Sequence, residues 1–278
     1  MKKFILNSVY FLLILSLVAH IRPLYRLYND RYKEVVLGNE IYYSIFKSKQ
    51  KKKSKKVLIG DSVGNQLFNN KKNNDTINSL ACNQSIGLVG HFILLNNYLN
   101  AGNEVDTVYM LFSPFSFRNN LNQVFTYHYF LKPFYNKENK PYFTETVAKQ
   151  IDKIPYHNLC QYPIILTSDW APDFTSEDSV DYTVFSPISV EYLQKIKELS
   201  ISHHFKLILV PPPASFTNKP LIEKMNKEEA VKTGLKEEFD TYFNDFFYLP
   251  DNKFTDGTHL IKPEVEKYTR YYRTRFIK

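Results

Sequence analysis

"VLIGDSVGNQLF", residues 57–68, carries a short apolar run, Val57-Leu58-Ile59, into Gly60-Asp61-Ser62 and then into a segment with helical spacing. An apolar run of strand length, closed by glycine and followed by a helical pattern, reads as a buried strand turning into a helix. Ser62 then has two readings. It is a nucleophile carried on a strand-to-helix turn, or a polar cap where the strand ends.

Working outward, short apolar runs recur at 79–83, 107–112, 206–211 and 246–249, so that with 56–59 five strands are expected. Apolar residues at helical spacing fill 86–99, 190–201 and 221–243, and Pro263 opens a last helix at a position that tolerates proline. Strands separated by helices imply right-handed crossovers and a mostly parallel sheet covered on both faces, a three-layer α/β/α architecture. Sites in such sheets form beyond the carboxyl ends of the strands. Ser62 follows the first strand, Ser113 the third, and Asp256 and His259 lie just past the fifth. The stretch between the third and fourth strands is far longer than a crossover helix needs, so an aromatic-rich insertion is expected at about 115–189.

At 278 residues, with 44% apolar and 23% charged residues, the chain has the balance of a folded globular protein. The net charge of +8 is concentrated in Lys47, Lys49, Lys51, Lys52, Lys53, Lys55 and Lys56. That run reads as a solvated linker, and no nucleic-acid partner is expected. Cys82 and Cys160 are too few for a disulfide framework and have no zinc-type spacing, so neither metal nor other cofactor is expected. After Lys2 and Lys3, residues 4–21 contain no Asp, Glu, Lys or Arg. As a helix of roughly 27 Å they are expected to anchor the chain in a membrane without cleavage. Three units follow: anchor 1–21, juxtamembrane stalk and Lys-rich linker 22–55, and a domain from 56 to 278.

The segment "FTDGTHL", 254–260, sets Asp256 and His259 two residues apart in sequence. A serine hydroxyl becomes a nucleophile when an imidazole takes its proton, and a carboxylate on the other ring nitrogen fixes the tautomer. Asp-x-x-His supplies base and orienter together, and chain order runs Ser, Asp, His. Either piece alone is common. Their placement at one sheet edge, from opposite ends of the domain, favours the nucleophile reading of Ser62.

"GDSVGNQLF" at 60–68 and "DGTHL" at 256–260 resemble the nucleophile block and the terminal Asp-x-x-His block of the SGNH, or GDSL-type, hydrolase superfamily. The resemblance covers about 56–275. It implies a flavodoxin-like fold, with Ser62 as nucleophile, His259 as base then acid, Asp256 as its orienter, and Asp61 as a hydrogen-bonding residue of the turn. In that superfamily a glycine after the second strand and an asparagine after the third join the nucleophile's own N–H in the oxyanion hole. Gly87 stands for the glycine, with Gly90 as the alternative. No asparagine matches: "LFSPFSFRNN" offers Ser113 at the strand end and Asn119 only later. The anchor, this departure and "LILVPPP" at 207–213 resemble the exported branch that handles acyl groups on cell-envelope polymers. An extracytoplasmic ester hydrolase or O-acyl (acetyl) transferase acting on acylated carbohydrate is therefore implied, with Trp170 a candidate sugar contact; a non-catalytic envelope protein that binds glycan or a membrane partner is the alternative. The aromatics of the insertion otherwise read as core. His91 reads as packed within a helix, and His203-His204 as a helix end.

Overall fold

A computed structural model describes residues 2–19, 39–72, 76–166, 168–173 and 184–276. In chain order they form α1 (Lys2–Ala19), α2 (Asn39–Ser48), β1 (Lys56–Gly60), α3 (Ser62–Leu67), β2 (Asn78–Ser79), α4 (Gly87–Asn100), β3 (Thr107–Leu111), α5 (Glu145–Asp152), α6 (Pro187–Ser202), β4 (Lys206–Val210), β5 (Ala214–Ser215), α7 (Lys236–Asn244), β6 (Tyr248–Leu249) and α8 (Lys262–Phe276), with short helical turns between.

Four strands build a parallel sheet in the order β2-β1-β3-β4. Successive strand side chains point to opposite faces. Val57, Ile59, Val108, Met110 and Leu209 enter one core with Ile93 of α4 and Leu193 of α6. Leu58, Tyr109, Leu111 and Val210 enter the other with Leu67 of α3 and Tyr272 of α8. Both faces are covered by helices, which is why these strands are apolar throughout instead of alternating.

The expected fifth strand of this sheet is not there. β6 pairs with β5 in a separate two-stranded parallel ladder, Ala214 opposite Tyr248. The reason is in the sequence: Pro211, Pro212 and Pro213 have no N–H to donate, so the ladder on β4 stops at Val210 and pairing resumes only at Ala214. The helix expected over 221–243 is likewise broken, because Gly234 adopts φ +72° before α7.

Two expectations about the N-terminal part are corrected. Among the described residues no helix is long and apolar enough to cross a membrane. α1 opens on Lys2 and Lys3, so its apolar part, residues 4–19, rises only roughly 24 Å against a hydrocarbon core of about 30 Å; residues 20 and 21 of the expected span lie outside the described residues. Residues 39–55 of the expected stalk and linker also pack in part against the domain, though Lys51 and Lys53 are exposed. Ile41 of α2 belongs to the core, Lys47 is buried with its ammonium on the Asn70 carbonyl at 2.7 Å, and Lys49 and Lys55 pair with Glu138 and Glu104. Residues 22–38 of the expected stalk lie outside the described residues.

In the inserted region Phe117, Tyr127, Phe130 and Phe134 are fully buried in the larger core, and α5 packs Val147 and Ile151 there.

Gly60 and Gly64 let β1 and α3 lie against the end of β3. A Cβ would stand 2.4 Å from the Leu111 carbonyl oxygen at Gly60 and 2.7 Å at Gly64. The obstacle is backbone, which yields only by moving the strand. Gly64→Ala is expected to destabilise the fold by about 1–3 kcal/mol, read as a lower urea midpoint at unchanged slope; a midpoint equal to wild type would show that β3 is not held at this spacing.

Candidate active site

Asp61 makes the turn between β1 and α3. Its carboxylate is buried, Oδ1 accepting from the N–H of Val63 at 2.9 Å and of Gly64 at 3.2 Å. Oδ2 accepts from the Ser113 N–H and the Ser116 hydroxyl, both at 2.6 Å. Burial pushes this carboxyl above the ordinary aspartate value, against the pull of its four donors, Ser116 first. The arrangement leaves Ser62 at the first position of α3 with its backbone N–H bonded to no group among the described residues.

Asp256 and His259 sit on a small loop closed by the bridge Phe254–Leu260 and by Thr255 N–H donating to the His259 carbonyl at 2.7 Å. Gly257 turns this loop at φ +78°. Asp256 Oδ1 accepts from the Thr258 N–H at 3.0 Å and the His259 N–H at 2.7 Å, and Oδ2 lies 2.7 Å from His259 Nδ1. His259 Nε2 lies 2.9 Å from Ser62 Oγ, joining residues 197 apart in sequence. Partial burial alone would raise the Asp256 carboxyl; the His259 and Thr258 donors outweigh it and hold the group down at about 2. An ionised Asp256 only accepts, so Nδ1–H donates a hydrogen bond to it and Nε2 is left as the acceptor for the Ser62 hydroxyl.

Two side chains without a sequence motif hold that loop in place. Gln66 donates from Nε2 to the Leu260 carbonyl at 2.8 Å and accepts from the Leu260 N–H at 3.0 Å. It lies one helical turn beyond Ser62, on the same face of α3, so the helix that carries the serine also clamps the residue after the histidine. Asn218 donates to the Gly257 carbonyl at 3.1 Å. The i, i+4 spacing from Ser62 was the available signal for Gln66. For Asn218 there was none.

The expected oxyanion donors are rearranged. Gly87 takes φ +60°, and its N–H donates to the Gln84 carbonyl, so it is not free for a substrate oxygen. Gly90 lies within α4 and packs on Ile86. Asn119 is also engaged, donating to the same Gln84 carbonyl at 2.6 Å and accepting from the Leu121 N–H at 2.8 Å. Ser113 is different: its N–H is fixed by Asp61, while its hydroxyl bonds to no group among the described residues. That hydroxyl borders a cleft lined also by Val63, Pro212, Phe246, Gly257 and Thr258. The cleft volume is about 10 Å³, room for one water-sized or methyl-sized group.

Trp170 is not at this cleft. Its ring meets Tyr127 and Tyr156 edge-on, within the inserted region. His91 is buried edge-on against Phe112, with both ring nitrogens unpartnered, and burial brings it down to about 3. His203 ends α6, and Cys82 and Cys160 are buried free thiols.

No protein-family model and no curated protein matches the chain. A solved structure from Streptococcus pneumonia, provisionally described as a platelet activating factor, is similar at 11% identity and a TM-score of 0.37, over 84% of this chain and 89% of that one.

Two outcomes follow from the geometry. Gln66→Met removes both bonds to Leu260 while keeping the side-chain length; the Leu260 amide is expected to exchange with solvent about tenfold faster or more, with the global unfolding midpoint little changed. Unchanged exchange would mean that the clamp does not hold the loop. Asp256 has a lowered value in the folded chain, so its stabilising contribution is present above the ordinary value of 3.8 and is lost as pH falls through about 2. The stability gap between wild type and Asp256→Asn is therefore expected to close as pH falls from about 4 towards 2. A gap that persists undiminished down to about pH 2 would contradict the assignment.

Proposed function

We propose that the chain is a serine-dependent ester hydrolase or acyl transferase of the SGNH type, acting on short acyl esters of carbohydrate. The observation that supports it is the relay Asp256–His259–Ser62, with contacts of 2.7 and 2.9 Å. His259 Nε2 takes the Ser62 hydroxyl proton as Oγ attacks the ester carbonyl carbon. The Asp256 carboxylate stabilises the imidazolium that results. The Ser62 N–H, with the Ser113 hydroxyl, holds the oxygen on which negative charge develops. His259 then returns the proton to the leaving alkoxide, and the alcohol departs. Water or a sugar hydroxyl, deprotonated in turn by His259, attacks the acyl-serine and regenerates Ser62.

The two sides of the ester meet different surroundings. The cleft beside Ser113 has room for a methyl-sized group, which suits a short acyl ester such as an acetate. His259 and Asp256 keep 33% and 56% of their side-chain surface exposed, so the alcohol side is open and takes a bulky carbohydrate. One observation favours a second reading, a non-catalytic glycan-binding protein: Gly87 gives its N–H, and Asn119 one of its two amide hydrogens, to the Gln84 carbonyl.

Hydrolysis of p-nitrophenyl esters and labelling by a fluorophosphonate separate the two. The enzyme reading expects Ser62 to be labelled, acetate to turn over at least about tenfold faster than hexanoate, and Ser113→Ala to cost roughly a hundredfold at constant KM. Ser62→Ala abolishes labelling and turnover. Absence of labelling in the wild type, with glycan binding unaffected by Ser62→Ala, would establish the binding protein instead.

A further inference from the structure

A cleft of about 440 Å³ opens at the edge of the sheet beside β2, between α3 and α8, and none of Ser62, Asp256 and His259 lines it. Its size falls within the range of small-molecule sites, roughly 300–1,000 Å³. Leu67, Phe68 and Ile77 supply buried apolar lining. The last carbonyls of α3, which would repel an anion, are occupied: Thr269 donates its hydroxyl to the Leu67 carbonyl and Ser79 to that of Phe68.

Three cations converge on this lining, Lys72 from the turn after α3 and Arg270 and Arg273 from one face of α8. Among the described residues their side chains make no ion pair or hydrogen bond, and Glu266, the carboxylate on the same wall, pairs with none of them. Some cations elsewhere on the surface are paired. Lys49, Lys55, Lys253, Lys267 and Arg275 each face a carboxylate within ion-pair distance. Arg270 and Arg273 are three apart on a helix, a spacing at which like charges disfavour the fold unless an anion lies between them.

We propose that this cleft binds a phosphate monoester with an apolar body. Two guanidinium forks and an ammonium match the dianionic phosphate, and arginine is suited to bidentate contacts with it. The apolar lining accepts the body of the ligand. The site shares no residue with the triad, and Gln66, which clamps the histidine loop, lies at its rim.

Phenyl phosphate titrated into the full chain at about 0.15 M salt, followed by calorimetry and amide NMR, tests this. Saturable binding with Kd below about 1 mM is expected, with shifts at Leu67, Phe68 and Ile77. Inorganic phosphate is expected to bind more weakly, and phenol not to compete. The double variant Arg270→Gln/Arg273→Gln is expected to bind at least tenfold more weakly, and Lys72→Glu, on a different element, provides the same test should the helix variant unfold. No saturation by about 10 mM, equal affinity in both variants, or shifts confined to Ser62 and His259 would overturn the proposal.

Discussion

A single buried carboxylate ties the site to the sheet. Asp61 accepts four hydrogen bonds, two from the first turn of α3 and two from the segment leaving β3. A carboxylate out of water without such partners would cost several kcal/mol, so the turn after β1 and the turn after β3 stand or fall together. The same bonds decide which backbone groups are left over. A helix begins with N–H groups that lack intrahelical partners, and Asp61 occupies those of Val63 and Gly64. The N–H of Ser62 is the one from this turn that stays free, beside its own hydroxyl.

That arrangement needs the end of β3 to come unusually near. Gly60 and Gly64 lie against the Leu111 carbonyl at distances no side chain allows, which carries Ser113 and Ser116 to the Asp61 carboxylate. Ser113 is thereby fixed through its backbone, with its hydroxyl directed to other use. Gln66, on the face of α3 that carries Ser62, performs the equivalent service for the histidine loop through both polar groups of Leu260. The helix α3 therefore positions Ser62, the loop that carries His259, and a wall of the cleft from one short segment.

Much of this was legible in the residues and some of it was not, for a consistent reason. Ser62, Asp256 and His259 were readable because their chemistry lies in side-chain type and short spacing, and the apolar runs at 57–59, 107–112 and 206–210 located the strands that bring them together. The oxyanion groups depend instead on which backbone N–H a turn consumes. Gly87 has the composition of a donor, yet its φ of +60° turns its N–H back onto Gln84. Strand count failed for a related cause: Phe246 to Leu249 has strand composition, but the prolines at 211–213 remove the partner edge it would need. Within the lysine run Lys47 departs from the solvated reading, because charge was read without the stem. Lys47 buries its chain and gives its ammonium to a backbone carbonyl, a use that composition does not reveal.

The asymmetry of the site narrows its chemistry further than the relay does. A serine, histidine and aspartate in line are indifferent to what lies on either side of the ester bond; selection comes from the walls. On one side Pro212, Phe246 and Val63 close a space of about 10 Å³. On the other, the Asp256–His259 loop stands in solvent, stiffened from within by the bonds to Asp256 and from outside by Gln66 and Asn218. A loop tied in this way keeps the His259 ring aligned on Ser62 Oγ while His259 and Asp256 stay partly exposed. Gly87 gives its N–H and Asn119 one of its amide hydrogens to the Gln84 carbonyl, whereas the Ser62 N–H and the Ser113 hydroxyl bond to no group among the described residues.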